Sequence, residues 1–477
     1  MHFKTHLIAA AVLCAASLGA QAQTVRIANQ GDALSMDPHS LNESLQLSVT
    51  GNVYEALVGR NKDLSLAPGL ATSWSQPSPT VWRFNLRKGV QFHDGTPFTA
   101  DDVVFTFART QVEGSDMKSY TNDVKEVRKV NSHTVEIETK APFPILPDVI
   151  SLVYIMSKKW CEDNQATRPV DRRKGIENAA SFRANGTGPY RVRERQPNVR
   201  TTFVRNGNYW GKVDGNVQEV IFTPIGSDAT RVAALLSGEV DFVLDPSPQD
   251  LARLRASPNL KVIDGVENRT IFFGMDQFRD ELPGSNIKGK NPLKDVKVRR
   301  ALYQAIDSDA LHKVTMRGLS QPTGTLVAPQ VNGWKESLHK RLPFDQAAAK
   351  KLLAEAGYPN GFEVDFACPN NRYINDEEIC QAVTAMWSRI GVKAKLRTMP
   401  LVTYFPMIQR HEASIYMLGW GVPTFDALYS LQSLTRSVGT GGDGNYNVGR
   451  YSNPRMDVVV DRVKTETDRP VRDRLLS

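Results

Sequence analysis

Four cysteines occur in 477 residues, and the spacing of Cys161, Cys368 and Cys380 fits no zinc pattern. The eight histidines are scattered, two of them within the first six residues, with no pair at metal-ligand spacing; neither a metal nor another cofactor is expected. No G-x-S-x-G occurs, and nothing pairs a nucleophile with an oriented base, so enzymatic function has no positive support. No Lys/Arg block interleaves with aromatics, which argues against a nucleic-acid partner. After residue 22 no stretch is long and apolar enough to span a membrane.

What is present begins with an export signal. Lys4 precedes an apolar run from Leu7 to about Leu18, which ends in Ala20-Gln21-Ala22. A positive start, a short apolar core and a small-x-small site mark a cleavable secretory signal over residues 1–22. Cys14 follows Leu13, where lipid attachment would want a small residue, so a soluble exported protein is expected. The formal charge is +8, or +7 once Lys4 is lost (58 basic against 51 acidic residues), spread along the chain. In an oxidising compartment Cys368 and Cys380 either close a short loop, worth about 3 kcal/mol, or remain buried thiols.

The remaining length exceeds one core, so two or more domains are expected. In one stretch Asp228 caps the helix ATRVAALLS, Gly238 stops it before the strand EVDFVL, Ser247-Pro248-Gln249-Asp250 opens another helix, and the strand NLKVI follows. In a second, Asp345 caps QAAAKKLLAEA before the strand FEVDFA. Asn375 then caps DEEICQAVTAMWSRI before VKAKLRTM, Thr403 starts a helix, and EASIYML forms a strand. Helices of this length between strands imply crossovers, mainly parallel sheets and two α/β lobes. Residues 60–185 differ: TVWRFNLRKGVQF and HTVEIETK alternate with period two, which predicts a smaller antiparallel β unit. The expected division is lobe I over 23–59 and 186–270, the inserted β-rich subdomain over 60–185, and lobe II over 271–477.

Several motifs resolve into bland readings. Gly284-Ser-Asn-Ile-Lys-Gly289-Lys290-Asn291 lacks the Ser/Thr of a phosphate loop and the apolar strand before it. Gly439-Thr-Gly441-Gly-Asp-Gly444 has dinucleotide spacing, but NYNVGRYSNP after it is no helix. His93-Asp94 belongs to a turn, HDGTP, ahead of a helix capped by Thr99.

The stretch MLGWGVPTFDALYSL, residues 417–431, points to binding. Trp420 stands between two glycines past a strand's carboxyl end, where open α/β sheets hold ligands. Gly419 and Gly421 would expose the indole for stacking or cation–π contact, and Asp426 would meet a cationic group. The alternative is a core Trp, with Asp426 capping ALYSL. CPNNRYIND also follows a strand; there Arg372 could clamp a carboxylate with Tyr373 as a wall, or stand in a surface turn.

These residues also resemble the family 5 extracellular solute-binding proteins of peptide, nickel and related ABC importers. The resemblance is carried by LAPGLATSWSQPSPTVWRFNLRKGVQFHDGTPFTADDVVFTF (66–107), GTGPYRV (186–192), NGNYWG (206–211), RVAALLSGEVDF (231–242) and VRRALYQAID (298–307). It implies an α/β fold: a two-lobed periplasmic clamshell with an additional β-rich subdomain. Such a protein would be monomeric, enclose a peptide or peptide-like small molecule between its lobes, and deliver it to ABC permease subunits and their ATPases. The family's peptide-binding members hold the ligand amine with an Asp three residues after the Trp; here that position is Pro423. Some members use an Arg near Arg372 for the ligand carboxylate, and the family's amino-terminal loop adds Ser40 and Asn42. Members continue beyond VRDRLLS and cross back to the first lobe, so that return would be missing here. An exported peptide hydrolase, or a solute sensor or chaperone on the same fold, are the competing readings.

Overall fold

The computed structural model describes residues 23–439 and 442–477. The expected signal over 1–22 lies outside the described residues, as do two positions of the Gly439–Gly444 motif.

Strand β1 (Gln23–Asn29) leads to a two-stranded ribbon of β2 (Val58–Arg60) and β3 (Leu66–Pro68). Then β4 (Ala71–Ser78), β5 (Val81–Leu86), β6 (Val124–Asn131) and β7 (Thr134–Thr139) form an antiparallel sheet in the order β4-β5-β7-β6. Period-two burial selects its inner face: Trp82, Phe84 and Leu86 are buried, whereas Arg83 and Asn85 are exposed. The helix Ala100–Gln111 covers this core; Thr99 and Asp102 form a reciprocal capping box at its start.

Strands β8 (Tyr190–Gln196), β9 (Arg200–Arg205), β10 (Val217–Pro224) and β11 (Phe242–Val243) join β1 in a second sheet, ordered β11-β1-β10-β9-β8. A third sheet holds β12 (Arg269–Met275), β13 (Glu363–Pro369), β14 (Lys393–Met399) and β15 (Ile415–Gly421) in the order β12-β15-β13-β14. Both are mixed, and the third keeps the expected parallel majority, since β13 runs parallel to β14 and to β15. β1 runs parallel to β10 and β11, but β8-β9-β10 is an antiparallel meander, and β12 is antiparallel to β15. Short connections such as the one from β8 to β9 permit hairpins where helical crossovers were expected.

Local departures have local causes. NLKVI forms no strand; Ile263 is 79% exposed, so its apolar residues have no sheet face to meet. EVDFVL contributes only Phe242 and Val243 to pairing. The cap of the Asp228–Ser237 helix is Ser227, while Asp228 pairs with Arg231 at 2.6 Å; Gly238 ends the helix at φ 76°, the left-handed region that favours glycine. Thr403 lies inside the Leu401–Gln409 helix, which Pro400 precedes.

Asn375 also gives up its expected capping role. It adopts φ 53° and turns its amide to the Thr315 carbonyl (2.7 Å) and Gln249 (3.2 Å). Asp376 takes over: its carboxylate accepts from the backbone N–H groups of Arg372, Tyr373 and Glu377 at 2.9–3.0 Å. Burial pushes the Asp376 carboxyl up to about 6 against those three donors. A disulfide joins Cys368 on β13 to Cys380 on the Asp376–Ser388 helix, which settles the alternative that sequence left open. Cys161 is a buried free thiol.

Candidate functional site

Strand alternation places Trp420. Tyr416, Leu418 and Trp420 face one apolar cluster, and Ile415 and Met417 face another. β15 runs on to Gly421, so Trp420 lies within the strand, opposite Thr270 of β12, rather than beyond its end. The indole is not bare. Tyr429 stacks on it with ring centroids 5.1 Å apart and Tyr446 leans in at 4.9 Å. The space left by Gly419 is filled: a Cβ there would stand 2.6 Å from Tyr373 and 2.7 Å from Ile271, so this glycine admits the Tyr373 ring.

The ring still has one open side. Trp420 and Gly421 border a cavity of about 190 Å3 that also touches Asn42, Glu43 and Ser44 from the segment after β1. Residues from the β1 half and from the β12–β15 half therefore share one space. Arg372 and Tyr373, from the loop after β13, line it too, as do Tyr429 and Tyr446. The Trp420 indole Nε1 is buried without an acceptor, and so is Nε of Arg372.

Two residues of this wall carried no readable sequence signal. Glu43 caps the Ser44–Thr50 helix, accepting from Leu45 N–H at 3.1 Å and Gln46 N–H at 3.0 Å, and forms a buried ion pair with Arg372. Burial pushes its carboxyl up, but Arg372 and the two N–H groups outweigh that and hold it below the usual range. Arg269 begins β12 opposite Gly421 and lies 5.7 Å from the Tyr373 ring centroid; Arg372 lies 4.6 Å from the same ring.

The other expected residues separate. Asn42 lines the cavity, but its amide is spent on tyrosines: it donates to Tyr429 at 2.8 Å and accepts from Tyr120 at 3.0 Å, while its backbone carbonyl accepts from Tyr446 at 2.9 Å. Ser40 does not line the cavity; its hydroxyl donates to the Asp37 carbonyl at 2.8 Å. Asp426 must be corrected outright. It lies off the cavity, where Arg472 grips it with two bonds of 2.6 and 2.7 Å, Asn332 donates at 3.1 Å, and it caps Leu428 N–H at 3.1 Å. That carboxylate is fully engaged and has no place for a ligand cation.

His93 is likewise structural. Nε2 donates to the Gly188 carbonyl (3.0 Å) and Nδ1 accepts from Gly186 N–H (3.4 Å), tying the antiparallel unit to the segment just before β8. Burial pulls the imidazole down to about 4. Among the described residues, no helix is long and apolar enough to cross a membrane, and no group of three His, Cys, Asp or Glu is arranged to hold a metal.

The model of the bacterial extracellular solute-binding proteins, family 5, matches residues 65–442. The chain belongs to this family. The family 5 protein is 28% identical to the dipeptide-binding protein of Escherichia coli K12 over 457 residues, covering 87% of this chain and 79% of that one. It is 26% identical to the glutathione-binding protein GsiB of Salmonella choleraesuis, over 95% of this chain and 86% of the relative. Its fold is that of the two-lobed periplasmic binding proteins. The Helicobacter pylori DppA, a periplasmic binding protein solved with the peptide STSA, superposes with TM-score 0.83 at 22% identity, covering 95% of this chain and 89% of that one. These relatives are binding proteins rather than enzymes.

Proposed function

We propose that this family 5 protein is the exported substrate-binding component of an ABC importer, capturing a peptide or peptide-like small solute between its two halves. The observation that supports this most is the shared cavity, walled by Trp420, Gly421, Arg372 and Tyr373 on one side and by the segment around Asn42 on the other. A recess with apolar walls and few polar groups suits reversible capture. In this reading Trp420 forms the aromatic wall, Tyr373 the floor beneath the guanidiniums, and Arg372 meets an anionic end of the solute. The loaded protein would then dock on permease subunits served by ATPases, acting as a monomer in the periplasm.

The dipeptide and glutathione specificities of the relatives motivate the first ligands to try. A thermal-shift screen of dipeptides, glutathione, opines and amino-acid derivatives tests the proposal. A binder raises the melting temperature as RT ln(1 + [L]/Kd) predicts. Recovery of the same ligand unchanged after prolonged incubation counts against a hydrolase, and turnover would replace the binding reading with it.

A further inference from the structure

The cavity beside Trp420 is small for a whole peptide. Its volume is about 190 Å3, whereas pockets that enclose a drug-sized ligand run from about 300 Å3 upward. An apolar cavity of roughly 150 Å3 is already large enough to bind benzene. The space therefore matches one large side chain rather than two residues with their backbone. Much of its wall is carbon: Leu47, Leu152, Tyr154, Phe405, Leu418 and Trp420 all border it. These come from the Ser44–Thr50 helix, the stretch after the Leu146–Ile150 helix, the Leu401–Gln409 helix and β15. A group inserted here meets four separate parts of the fold at once.

The polar atoms of that wall are occupied by the protein itself. Tyr154 Oη donates to the Leu47 carbonyl at 3.3 Å, and Tyr373 Oη to the Gly419 carbonyl at 3.5 Å. Tyr429 Oη accepts from the Asn42 amide at 2.8 Å and from Tyr120 Oη at 2.5 Å. Tyr446 Oη reaches both the Asn42 carbonyl, at 2.9 Å, and the Asp116 carboxylate. Asp116 also accepts from Asn42 N–H at 2.9 Å and from the Asn445 amide at 3.1 Å, so Tyr446 cannot swing aside without breaking a connected set of bonds. The Trp420 Nε1 is itself buried, which leaves ring carbon turned to the space. Glu43 is engaged by its helix cap and Arg372, and Arg269 by Glu267. Water against such a wall finds few of the two to four or so partners that hold it in place, and an apolar group displaces it at a gain.

We infer that this cavity is a side-chain pocket that selects solutes carrying one bulky apolar group, of phenylalanine or leucine size. The inference rests on the proposed peptide-like reading and narrows it to apolar members of that class. Small side chains leave the pocket part empty and forfeit its contacts. Charged ones lose their hydration against walls whose polar atoms are already spent. The hydrogen-bonded tyrosines fix the upper limit of size, because the wall they form is set before the solute arrives.

The test is calorimetric titration of the full chain with alanyl-phenylalanine, phenylalanyl-alanine, alanyl-alanine, alanyl-glutamate and alanyl-lysine. The tighter of the two phenylalanine peptides is expected to bind about tenfold or more tighter than each of the other three, as full burial of a benzyl group requires. Leu152→Trp adds bulk at the wall from a half-buried turn position. In that variant the preference for phenylalanine over alanine should shrink below about threefold. Leu152→Phe serves as a milder second variant, and unliganded melting curves verify that both fold. If alanyl-alanine or a charged peptide binds as tightly as the phenylalanine peptides, the inference is overturned while the peptide-like reading stands. A phenylalanine preference that both folded variants retain in full also overturns it, because the selecting pocket then lies elsewhere. Silence from all five probes overturns the peptide-like reading, and the inference with it.

Discussion

Trp420 and Asp426 stand six residues apart and do opposite work. The indole borders a cavity and keeps an N–H without an acceptor; the carboxylate is consumed by Arg472, Asn332 and Leu428. Trp420→Ala should remove the aromatic wall, lowering affinity for a binding ligand about three- to tenfold in titration. Asp426→Asn should do the reverse. Leaving Arg472 buried and unpaired is expected to lower unfolding free energy by about 3 kcal/mol in a denaturant melt, with the dissociation constant essentially unchanged. The difference between these two positions was not legible in sequence. The glycines around Trp420 advertised close approach, although Tyr373 and Ile271 rather than a ligand fill the space at Gly419. The partner that claims Asp426 lies 46 residues further on, beyond the reach of local pattern.

At the scale of elements, the loop after β13 carries the site. It is held at one end by the Cys368–Cys380 disulfide and along its length by the Asp376 carboxylate, which gathers the N–H groups of Arg372 and Tyr373. Reduction should cost about 3 kcal/mol of stability. Because the loop presents Arg372, ligand affinity should fall as well, a joint effect that melts and titrations with and without reductant would detect. Strands and helices with strong periodicity were readable: FEVDFA, VKAKLRTM and QAAAKKLLAEA all stand where their patterns placed them. Glu43 and Arg269 were not. Glutamate is a poor advertisement for a helix cap, and an arginine at the start of a strand reads as a solvated end until the opposing half closes over it.

At the scale of the whole molecule, the antiparallel unit is joined to the sheet of β1 through a group that responds to pH. His93 joins the antiparallel unit to the Gly186–Gly188 turn, and its pKa is pulled down to about 4. A depressed histidine keeps its full contribution above the unfolded value near 6.5 and loses it as pH falls toward 4, because the unfolded chain binds the proton first. His93→Gln should therefore flatten the loss of stability between about pH 6.5 and 4 by roughly one proton's worth of slope, measured by denaturant melts across that range. Saturating ligand should add about 2.7 kcal/mol at a hundredfold excess over its dissociation constant, whichever half is monitored.

The tyrosine cluster over the indole also sets an order of assembly. Asn42 bonds to Tyr429 and Tyr446 at sequence separations of 387 and 404, and Tyr120 reaches Tyr429 at 309. Contacts so distant along a polypeptide form late, after nearer pairings have shortened the loops between them. The three sheets can take shape while the recess is still unwalled, so the cavity beside the indole is completed last, and a partly folded molecule would be well structured before its pocket existed.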